Sequence, residues 1–180
     1  MTGGFGSTYS VFQWGIVGNR GSPWRGPIVF RGVTNLSLDT KGRMAVPARY
    51  RERLQAESDG RVVITVDRDG CLLLYPMREW EAIERELVRL PSLNKQARRL
   101  QRLLIGHATE CEFDAQGRIL VPGPLREFAG IDRRVVLIGQ GNKFELWDEQ
   151  TWNERRAAWL AADDDEEGLE LPEALESLSI

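Results

Sequence analysis

The sequence has few of the residues that most often bind metals or perform catalysis. It contains one histidine, His107, and two cysteines, Cys71 and Cys111, among 180 residues. Two cysteines do not make a disulfide framework, so we expect a reducing, cytoplasmic location. Their spacing relative to His107 does not match a zinc motif, and no glycine-rich phosphate-binding loop is present. The sequence therefore predicts no enzymatic activity, no catalytic residue, no cofactor and no metal site.

Long apolar runs are also lacking. No stretch of about 18 apolar residues is available to span a membrane, and the first residues lack the basic-then-apolar pattern of a secretory signal. We therefore expect no membrane partner. The apolar fraction of 42% is nevertheless sufficient for a folded core. A chain of this length can hold one ordinary domain or two small ones.

Charge is distributed unevenly along the chain, whose net charge is −3. Residues 161–180 contain eight acidic residues and no basic residue, whereas residues 1–29 carry only two arginines. The body between them, residues 30–160, has 22 basic and 19 acidic residues. The chain thus combines a slightly basic body with an acidic tail, a distribution that permits nucleic-acid binding without indicating it.

An internal repeat is the most informative feature of the sequence. The segment Leu38-Asp-Thr-Lys-Gly-Arg-Met-Ala-Val-Pro47 returns 75 positions later as Phe113-Asp-Ala-Gln-Gly-Arg-Ile-Leu-Val-Pro122. Such self-similarity indicates a duplicated structural unit. The likeness continues through three further pairs: 61–65 with 134–138, 71–75 with 143–147, and Trp80 with Trp152.

Each repeat reads as the same small β-rich module. A short strand leads into an Asp-x-x-Gly-Arg turn, and a second short strand ends at a proline. A short helix follows, over 48–54 in the first module and 123–128 in the second. Two more strands come next, joined by the hairpin signals at 67–70 and 139–142.

The pattern predicts an α+β fold, rich in β-structure, with two tandem modules. Modules of about 45 residues are near the limit of independent stability, so we expect the two to share a core as a pseudo-dimer. Helices over 77–90 and from Asn94 to about Gly106 are expected between them. The predicted divisions are a flexible extension at 1–29, module 1 at 33–80, a helical connector at 81–108, module 2 at 109–152, and a C-terminal helix with acidic tail at 153–180.

The chemistry of the repeated turn points to a nucleic-acid contact. Gly42 can adopt a positive φ and so permits a tight turn, which would project Lys41 and Arg43 from an exposed tip. Asp39 can pair with Arg43 and fix its direction. An arginine fork can grip a guanine edge or a phosphate, and a two-stranded ribbon fits the major groove of DNA. An ordinary turn salt bridge without a ligand remains the alternative.

The residues from Phe30-Arg-Gly-Val-Thr34 through the Leu38–Pro47 motif to Ala48-Arg-Tyr-Arg51 resemble the start of the bacterial MraZ proteins. These are tandem members of the SpoVT/AbrB-like superfamily, and the second motif resembles the second half of that family. The resemblance covers about Phe30 to Trp159, with both Asp-x-x-x-Arg motifs intact. It implies modules that are swapped-hairpin β-barrels, assembly into ring-shaped homo-oligomers, and association with the nucleoid.

The resemblance also implies a function and a set of site residues. The function is sequence-specific regulation, with repression expected, of the division and cell-wall gene cluster, including the protein's own promoter, through repeated boxes in double-stranded DNA. In that family the Asp-x-x-x-Arg loops form the DNA surface, and the aspartates are interpreted as orienting the arginines. Gln116 replaces Lys41 in the second loop, which predicts a contact with less charge. The residues implied are Asp39, Lys41, Arg43, Asp114, Gln116 and Arg118.

Other interpretations stay open at this point. An AbrB-like antitoxin would use the same module, although antitoxins of that kind generally carry one module and a toxin-binding tail. A ring scaffold of cell division would bind no DNA. The basic helix at 94–106 fits either a subunit interface or a solvated face. The acidic tail is interpreted as solvated, with a mask over the basic loops as the alternative.

Residues 1–28 depart from the family pattern, whose members usually begin near the Phe-Arg-Gly segment. They are rich in Gly and Ser. We hypothesise an optional extension or a mis-assigned start, with Val29 as the true initiation codon. The intact mass of the protein from its native cell tests this, and a mass that includes residues 1–28 would refute it.

Overall fold

The structure is a computed structural model that describes residues 29–165, with side chains through Ala161. The predicted N-terminal extension and most of the acidic tail lie outside the described residues. The elements in chain order are β1 (Phe30–Ser37), β2 (Arg43–Ala45), α1 (Ala48–Ser58), β3 (Arg61–Val66), β4 (Leu72–Pro76), α2 (Met77–Arg89), α3 (Lys95–His107), β5 (Thr109–Glu112), β6 (Arg118–Leu120), α4 (Gly123–Phe128), β7 (Arg134–Gly141), β8 (Lys143–Asp148) and α5 (Glu149–Asp165).

The strands form one large sheet and one small ribbon, and both combine the two halves of the chain. The large sheet has six antiparallel strands in the order β1-β7-β8-β4-β3-β5, and the ribbon consists of β2 and β6. Strand β1 of the first half pairs with β7 of the second, and β5 of the second half pairs with β3 of the first. Each half therefore contributes a strand to its counterpart, as expected for two modules that share a core.

The ribbon packs against the core through every second side chain. Met44 lies opposite Ile119 in the β2–β6 pairing, and both side chains are fully buried. Because side chains alternate along a strand, the residues on either side of them turn outward. Pro47 and Pro122 then end the two strands and stand at the N-caps of α1 and α4. The ribbon and its two following helices form one layer against the sheet.

Both faces of the large sheet are covered, which accounts for the nearly continuous apolar sequence of its central strands. Val62, Ile64 and Val66 of β3 belong to the core shared with the ribbon, α1 and α4. Val63 of the same strand points to the opposite face, which we call the outer face. The outer face is covered by α2, α3 and α5. Burial of each such side chain contributes about 1.5–3 kcal/mol.

The connector between the halves is part of the core. The side chain of Asn94 caps α3 by accepting hydrogen bonds from the N–H groups of Gln96 and Ala97, at 2.8 and 3.2 Å. The hydroxyl of buried Thr65 on β3 donates to the carbonyl of Leu104, at 2.7 Å, and so ties α3 to the sheet. The apolar side of the basic helix thus packs on the outer face. Within residues 29–165, no helix has the length and apolar character needed to span a membrane.

Most element positions agree with the sequence analysis, and the differences lie at helix ends and in the second hairpin. The loop predicted at 139–142 is shorter, because Gly139 and Gln140 pair with Phe144 and Lys143, so β7 continues to Gly141. Helix α1 runs four residues further than predicted, to Ser58, because Asp59 and Gly60 supply the left-handed residues, with φ of 52° and 72°, that terminate it. Helix α4 has the predicted bounds. Helix α2 begins at Met77, as predicted, and ends at Arg89, one residue before the predicted end, whereas α5 begins at Glu149.

Candidate functional site

The first Asp-x-x-Gly-Arg segment forms a closed turn between β1 and β2. The N–H of Gly42 donates to the carbonyl of Asp39, and the N–H of Asp39 donates to the carbonyl of Arg43, both at 2.9 Å. The Oδ1 atom of Asp39 accepts from the backbone N–H groups of Lys41 and Arg43, at 2.9 and 3.0 Å. Gly42 adopts a φ of 79°, a conformation that an L-residue with a side chain rarely takes. The aspartate therefore organises the turn that carries the arginine.

The second turn repeats this geometry. The N–H of Gly117 donates to the carbonyl of Asp114 at 2.8 Å, and Gly117 has a φ of 72°. The Oδ1 atom of Asp114 accepts from the N–H groups of Gln116 and Arg118, both at 2.9 Å. The side chain of Gln116 also accepts a hydrogen bond from the Nη2 atom of Arg118, at 3.0 Å. Gln116 thus adds a contact to the arginine where Lys41 adds a charge.

The fold brings the two turns side by side. The N–H of Val46 donates to the carbonyl of Gly117 at 3.2 Å, and the N–H of Val121 donates to the carbonyl of Gly42 at 2.9 Å. Each turn is therefore joined by a backbone hydrogen bond to the strand that follows the other turn. The six residues implied by the sequence form one surface across the two halves, rather than two separate loops.

Four of those residues form an ion-pair network, which we call the Asp–Arg network: Asp39, Arg43, Asp114 and Arg118. Within each turn the arginine Nη2 lies 2.7 Å from the aspartate Oδ2. Between the turns, Arg43 Nη1 lies 3.9 Å from Asp114 Oδ2, and Arg118 Nη1 lies 3.7 Å from Asp39 Oδ2. The four side chains are 28–32% exposed.

Both aspartates remain ionised at neutral pH. The hydrogen bond from the Arg43 side chain, followed by that from its backbone N–H, lowers the pKa of Asp39 to about 2. The corresponding bonds from Arg118 lower the pKa of Asp114. Two carboxylates and two guanidinium groups therefore sum to no net charge. The network can orient donors toward a ligand, but it does not by itself attract an anion.

The exposed tip expected for Lys41 and Arg43 is found for Lys41 but not for Arg43. Gly42 and Gly117 are buried, and the arginines lie in the Asp–Arg network instead of extending freely into solvent. Lys41 is exposed, and no hydrogen bond or ion pair joins its ammonium group to another described residue. The turn closes inward because the opposite half of the chain packs over each glycine, a contact that one isolated motif does not reveal.

Two further arginines, Arg51 and Arg126, cover the glycines, and the sequence analysis missed them. A Cβ atom placed on Gly42 would lie 2.9 Å from the guanidinium of Arg126, and one on Gly117 would overlap that of Arg51. Neither arginine has an ion pair with a carboxylate among residues 29–161. The signal was available, because the repeat extends four positions past each proline to an arginine at the same spacing of 75.

Arg51 and Arg126 are held differently. The Nε atom of Arg126 donates to the carbonyl of Val121 at 3.2 Å. The Nε atom of Arg51 is buried and has no hydrogen-bond partner in the described part of the chain. Arg51 also lines a cleft between α1 and the second turn, with Glu52 and Asp114 beside it. The first-half arginine is therefore the less constrained member of the pair.

His107 and the cysteines lie away from this surface. His107 ends α3, where its Nδ1 atom lies 3.0 Å from the carbonyl oxygen of Leu103 and can donate to it when protonated. Burial raises the pKa of Cys111 to about 11 and also raises that of Cys71. Among residues 29–165 there is no group of three or more His, Cys, Asp or Glu side chains placed to hold a metal ion.

Comparison with known proteins identifies the family. A family profile described as "MraZ protein, putative antitoxin-like" matches residues 29–103 and 104–167. The chain is 64% identical over 152 residues to the transcriptional regulator MraZ of Thioalkalivibrio sulfidiphilus, covering 84% of this chain and 100% of the relative. It is 63% identical over 132 residues to the transcriptional regulator MraZ of Methylococcus capsulatus, covering 73% and 87% respectively.

A third relative, the transcriptional regulator MraZ of Halorhodospira halophila, is 59% identical over 157 residues, covering 84% of this chain and 100% of the relative. All three relatives are named as regulators and not as enzymes, in agreement with the expectation drawn from the sequence. The family profile spans both halves of the duplication seen in the fold. The chain therefore belongs to the MraZ family.

Proposed function

We propose that this protein is a transcriptional regulator that binds DNA in a sequence-specific manner. The observation that carries the proposal is the joining of two copies of the same Asp-x-x-Gly-Arg turn into one surface on a two-stranded ribbon. A ribbon of this kind has the width to enter a major groove. The naming of the relatives as transcriptional regulators supports the same conclusion.

The Asp–Arg network supplies directed hydrogen-bond donors in this proposal. A guanidinium carries five N–H donors, and Asp39 engages only the Nε and Nη2 atoms of Arg43 at short distance. Donors on the Nη1 side stay available for a base edge. Because the carboxylates hold the planes of the arginines, little side-chain entropy is lost on binding. Arg43 and Arg118 are thus assigned to sequence recognition.

Attraction to the phosphate backbone requires unpaired positive charge. The Asp–Arg network is neutral, so the charge at this surface comes from Lys41, Arg51 and Arg126. Phosphate contacts fix the register of a protein on DNA, whereas contacts to base edges carry the sequence information. We assign these three side chains to phosphate contacts. Gln116 has no charge, so the second turn contributes less to this attraction.

One chain presents a small surface, so tight binding requires several chains. Each mismatched base pair costs only about 1–3 kcal/mol, which limits the specificity of a single pair of turns. A ring of subunits gains affinity through effective concentration when short DNA boxes repeat at matching spacing. We therefore retain the ring-shaped homo-oligomer and the repeated promoter boxes as parts of the proposal. Repression of the division and cell-wall gene cluster, including the protein's own promoter, and nucleoid association complete it.

The second candidate is an antitoxin role, favoured by the antitoxin-like description of the family profile. The fusion of both modules into a shared sheet argues against it, because the second module occupies the place of a partner subunit. A non-DNA-binding division scaffold remains the third candidate. It would show no salt-sensitive binding to any duplex.

A gel-shift titration tests the proposal. The duplexes are DNA from upstream of the protein's own gene and a shuffled duplex of the same composition. We expect tighter binding to the upstream duplex and a steep loss of affinity for both duplexes as salt increases. Equal affinity for the two duplexes would contradict sequence-specific regulation. The absence of salt-sensitive binding would favour the scaffold.

A further inference from the structure

The duplication offers an internal comparison between α2 and α5. Trp80 on α2 corresponds to Trp152 on α5, so Leu87 corresponds to Trp159, seven positions later in each helix. The exposed fraction of Leu87 is 7%, whereas that of Trp159 is 45%. The two halves therefore differ at one equivalent position, where the second half leaves a large aromatic side chain half in solvent.

Helix α3 is the reason that Leu87 is buried. It follows α2 in the chain, packs against it, and places Leu100 and Leu104 in the same apolar cluster as Leu87. The side chain of Gln101 also donates to the carbonyl of Leu87, at 2.7 Å. The described part of the second half, which ends within α5, contains no counterpart of α3.

The next position along each helix shows that the difference is specific. Val88 is 66% exposed and the corresponding Leu160 is 64% exposed, so α3 changes the exposure of Leu87 without changing that of its neighbour. Among the two pairs compared, only Trp159 therefore lacks the packing partner that its counterpart has in the first half. The indole already contacts Trp147 and Trp152, with ring centroids 6.1 and 5.8 Å apart, which leaves its outer part for another partner.

The charge around Trp159 also differs from that around Leu87. Partly buried Ile83 stands one turn before Leu87, whereas exposed Arg155 stands one turn before Trp159. An apolar indole next to an exposed arginine suits a segment that combines apolar and acidic residues. Residues 166–180 have this composition, with five glutamates, all between positions 166 and 176, and no basic residue.

The spacing of leucines in that segment matches the spacing in α3. Leu100 and Leu104 follow Leu87 by 13 and 17 positions, and Leu171 and Leu175 follow Trp159 by 12 and 16. Leu178 continues the series at i+3, a pattern that places apolar residues on one side of a helix. The chain therefore carries leucines at a similar sequence distance from Trp159 as those that cover Leu87, although α5 runs six residues past Trp159 and α2 only two past Leu87.

We infer that residues 169–178 of the same chain pack against α5 over Trp159, and so complete the second half as α3 completes the first. The leucines cover the indole, and the glutamates between them lie beside Arg155. The acidic tail is then held on the outer face of the sheet. This differs from a mask over the basic surface, because α5 and the ribbon lie on opposite faces of the sheet.

The experiment uses the full chain labelled with 5-fluorotryptophan and measures the fluorine spectrum with a soluble gadolinium chelate. Trp159→Phe assigns the resonance. In the variant Leu171→Ser/Leu175→Ser/Leu178→Ser we expect the Trp159 resonance to shift and its relaxation by the chelate to rise about twofold or more, because cover is lost. The Trp80 resonance should stay unchanged. Leu93→Ser is the matched control, since Leu93 is 91% exposed between α2 and α3.

Two results would overturn the inference. The triple variant could leave the shift and relaxation of the Trp159 resonance unchanged, which would show that the leucines do not cover the indole. Alternatively, protection could persist in the triple variant and disappear on dilution, which would identify a second copy of the chain as the occupant. Neither readout involves DNA, so failure of this inference is distinguishable from failure of the proposed function.

Discussion

Asp39 of the first turn and Arg118 of the second lie in contact across the two halves of the chain, with 3.7 Å between Oδ2 and Nη1. The reciprocal pair, Arg43 and Asp114, is separated by 3.9 Å. The duplication therefore produces one composite site, because each arginine faces the aspartates of both turns. A substitution in either turn is expected to alter the other.

Removing the carboxylate of Asp39 is expected to change sequence-specific and non-specific DNA binding in opposite directions. Asp39→Asn keeps the size of the side chain but releases the Arg43 guanidinium and adds one net positive charge to the surface. We expect non-specific binding to tighten and the ratio of specific to shuffled affinity to fall by about tenfold. Titrations with the upstream and shuffled duplexes measure both values. An unchanged ratio would mean that Asp39 does not orient Arg43 for recognition.

The same carboxylate predicts an acid-dependent contribution to stability. The hydrogen bonds from Arg43 lower the pKa of Asp39 from its ordinary value near 3.8 to about 2 in the folded protein. A lowered folded pKa contributes stability that is fully present above the unfolded value and is lost as pH falls through the folded one. The difference in unfolding free energy between wild type and Asp39→Asn should thus be constant from pH 7 to about 5 and shrink from about 4 toward 2. Urea denaturation at each pH measures it, and a constant difference down to pH 2 would contradict the assigned pairing.

Substitution of Gly42 in the first turn is predicted to destabilise the fold for two separate reasons, backbone strain and a clash with Arg126. Gly42 has a positive φ and lies under the Arg126 guanidinium, whereas Gly70 has a φ of 88° and open space around it. Gly70→Ala should therefore cost only the backbone strain, about 1–2 kcal/mol. Gly42→Ala should cost more, because Arg126 must also move. Equal losses in urea unfolding of the two variants would show that Arg126 does not pack on the turn.

Arg51 and Arg126 are predicted to act through charge. Arg51→Ala/Arg126→Ala should weaken binding to the upstream and shuffled duplexes by the same factor and reduce the slope of log affinity against log salt by about 2. Arg85→Ala, on the exposed side of α2 over the opposite sheet face, is the matched control and should change neither. Loss of affinity for the upstream duplex alone would assign these arginines to base contacts instead.

The sequence predicted the duplication, the order of elements and the position of the turn because these depend on local residue types. Gly42 must supply a positive φ, Pro47 must end a strand, and Asp67 to Gly70 must form a hairpin loop. The exchange of β1 and β5 between the halves could not be predicted in the same way. It depends on pairing between strands that are distant in sequence, which local residue patterns do not specify. The repeat alone indicated that the halves share a core, without giving the register.

The sequence predicted the residues of the candidate site, but it did not predict the contacts that these residues make with the other half of the chain. Asp39 and Arg43 were paired correctly from their spacing of four. The contact of Arg43 with Asp114 could not be predicted, because it depends on the two turns meeting. Arg51 lay within reach of the sequence, since its repeat partner Arg126 follows the second motif at the same spacing. Its packing over Gly117 required the structure.

The most direct test of the DNA assignment is the affinity of Arg43→Ala for the upstream and shuffled duplexes, measured by gel shift beside Arg85→Ala. We expect Arg43→Ala to lose the preference for the upstream duplex while its circular dichroism and subunit assembly stay as in wild type, and Arg118→Ala to lose less of that preference. Arg85→Ala should retain the preference. An Arg43→Ala protein that binds the upstream duplex with wild-type affinity would contradict the assignment of Arg43 to sequence recognition.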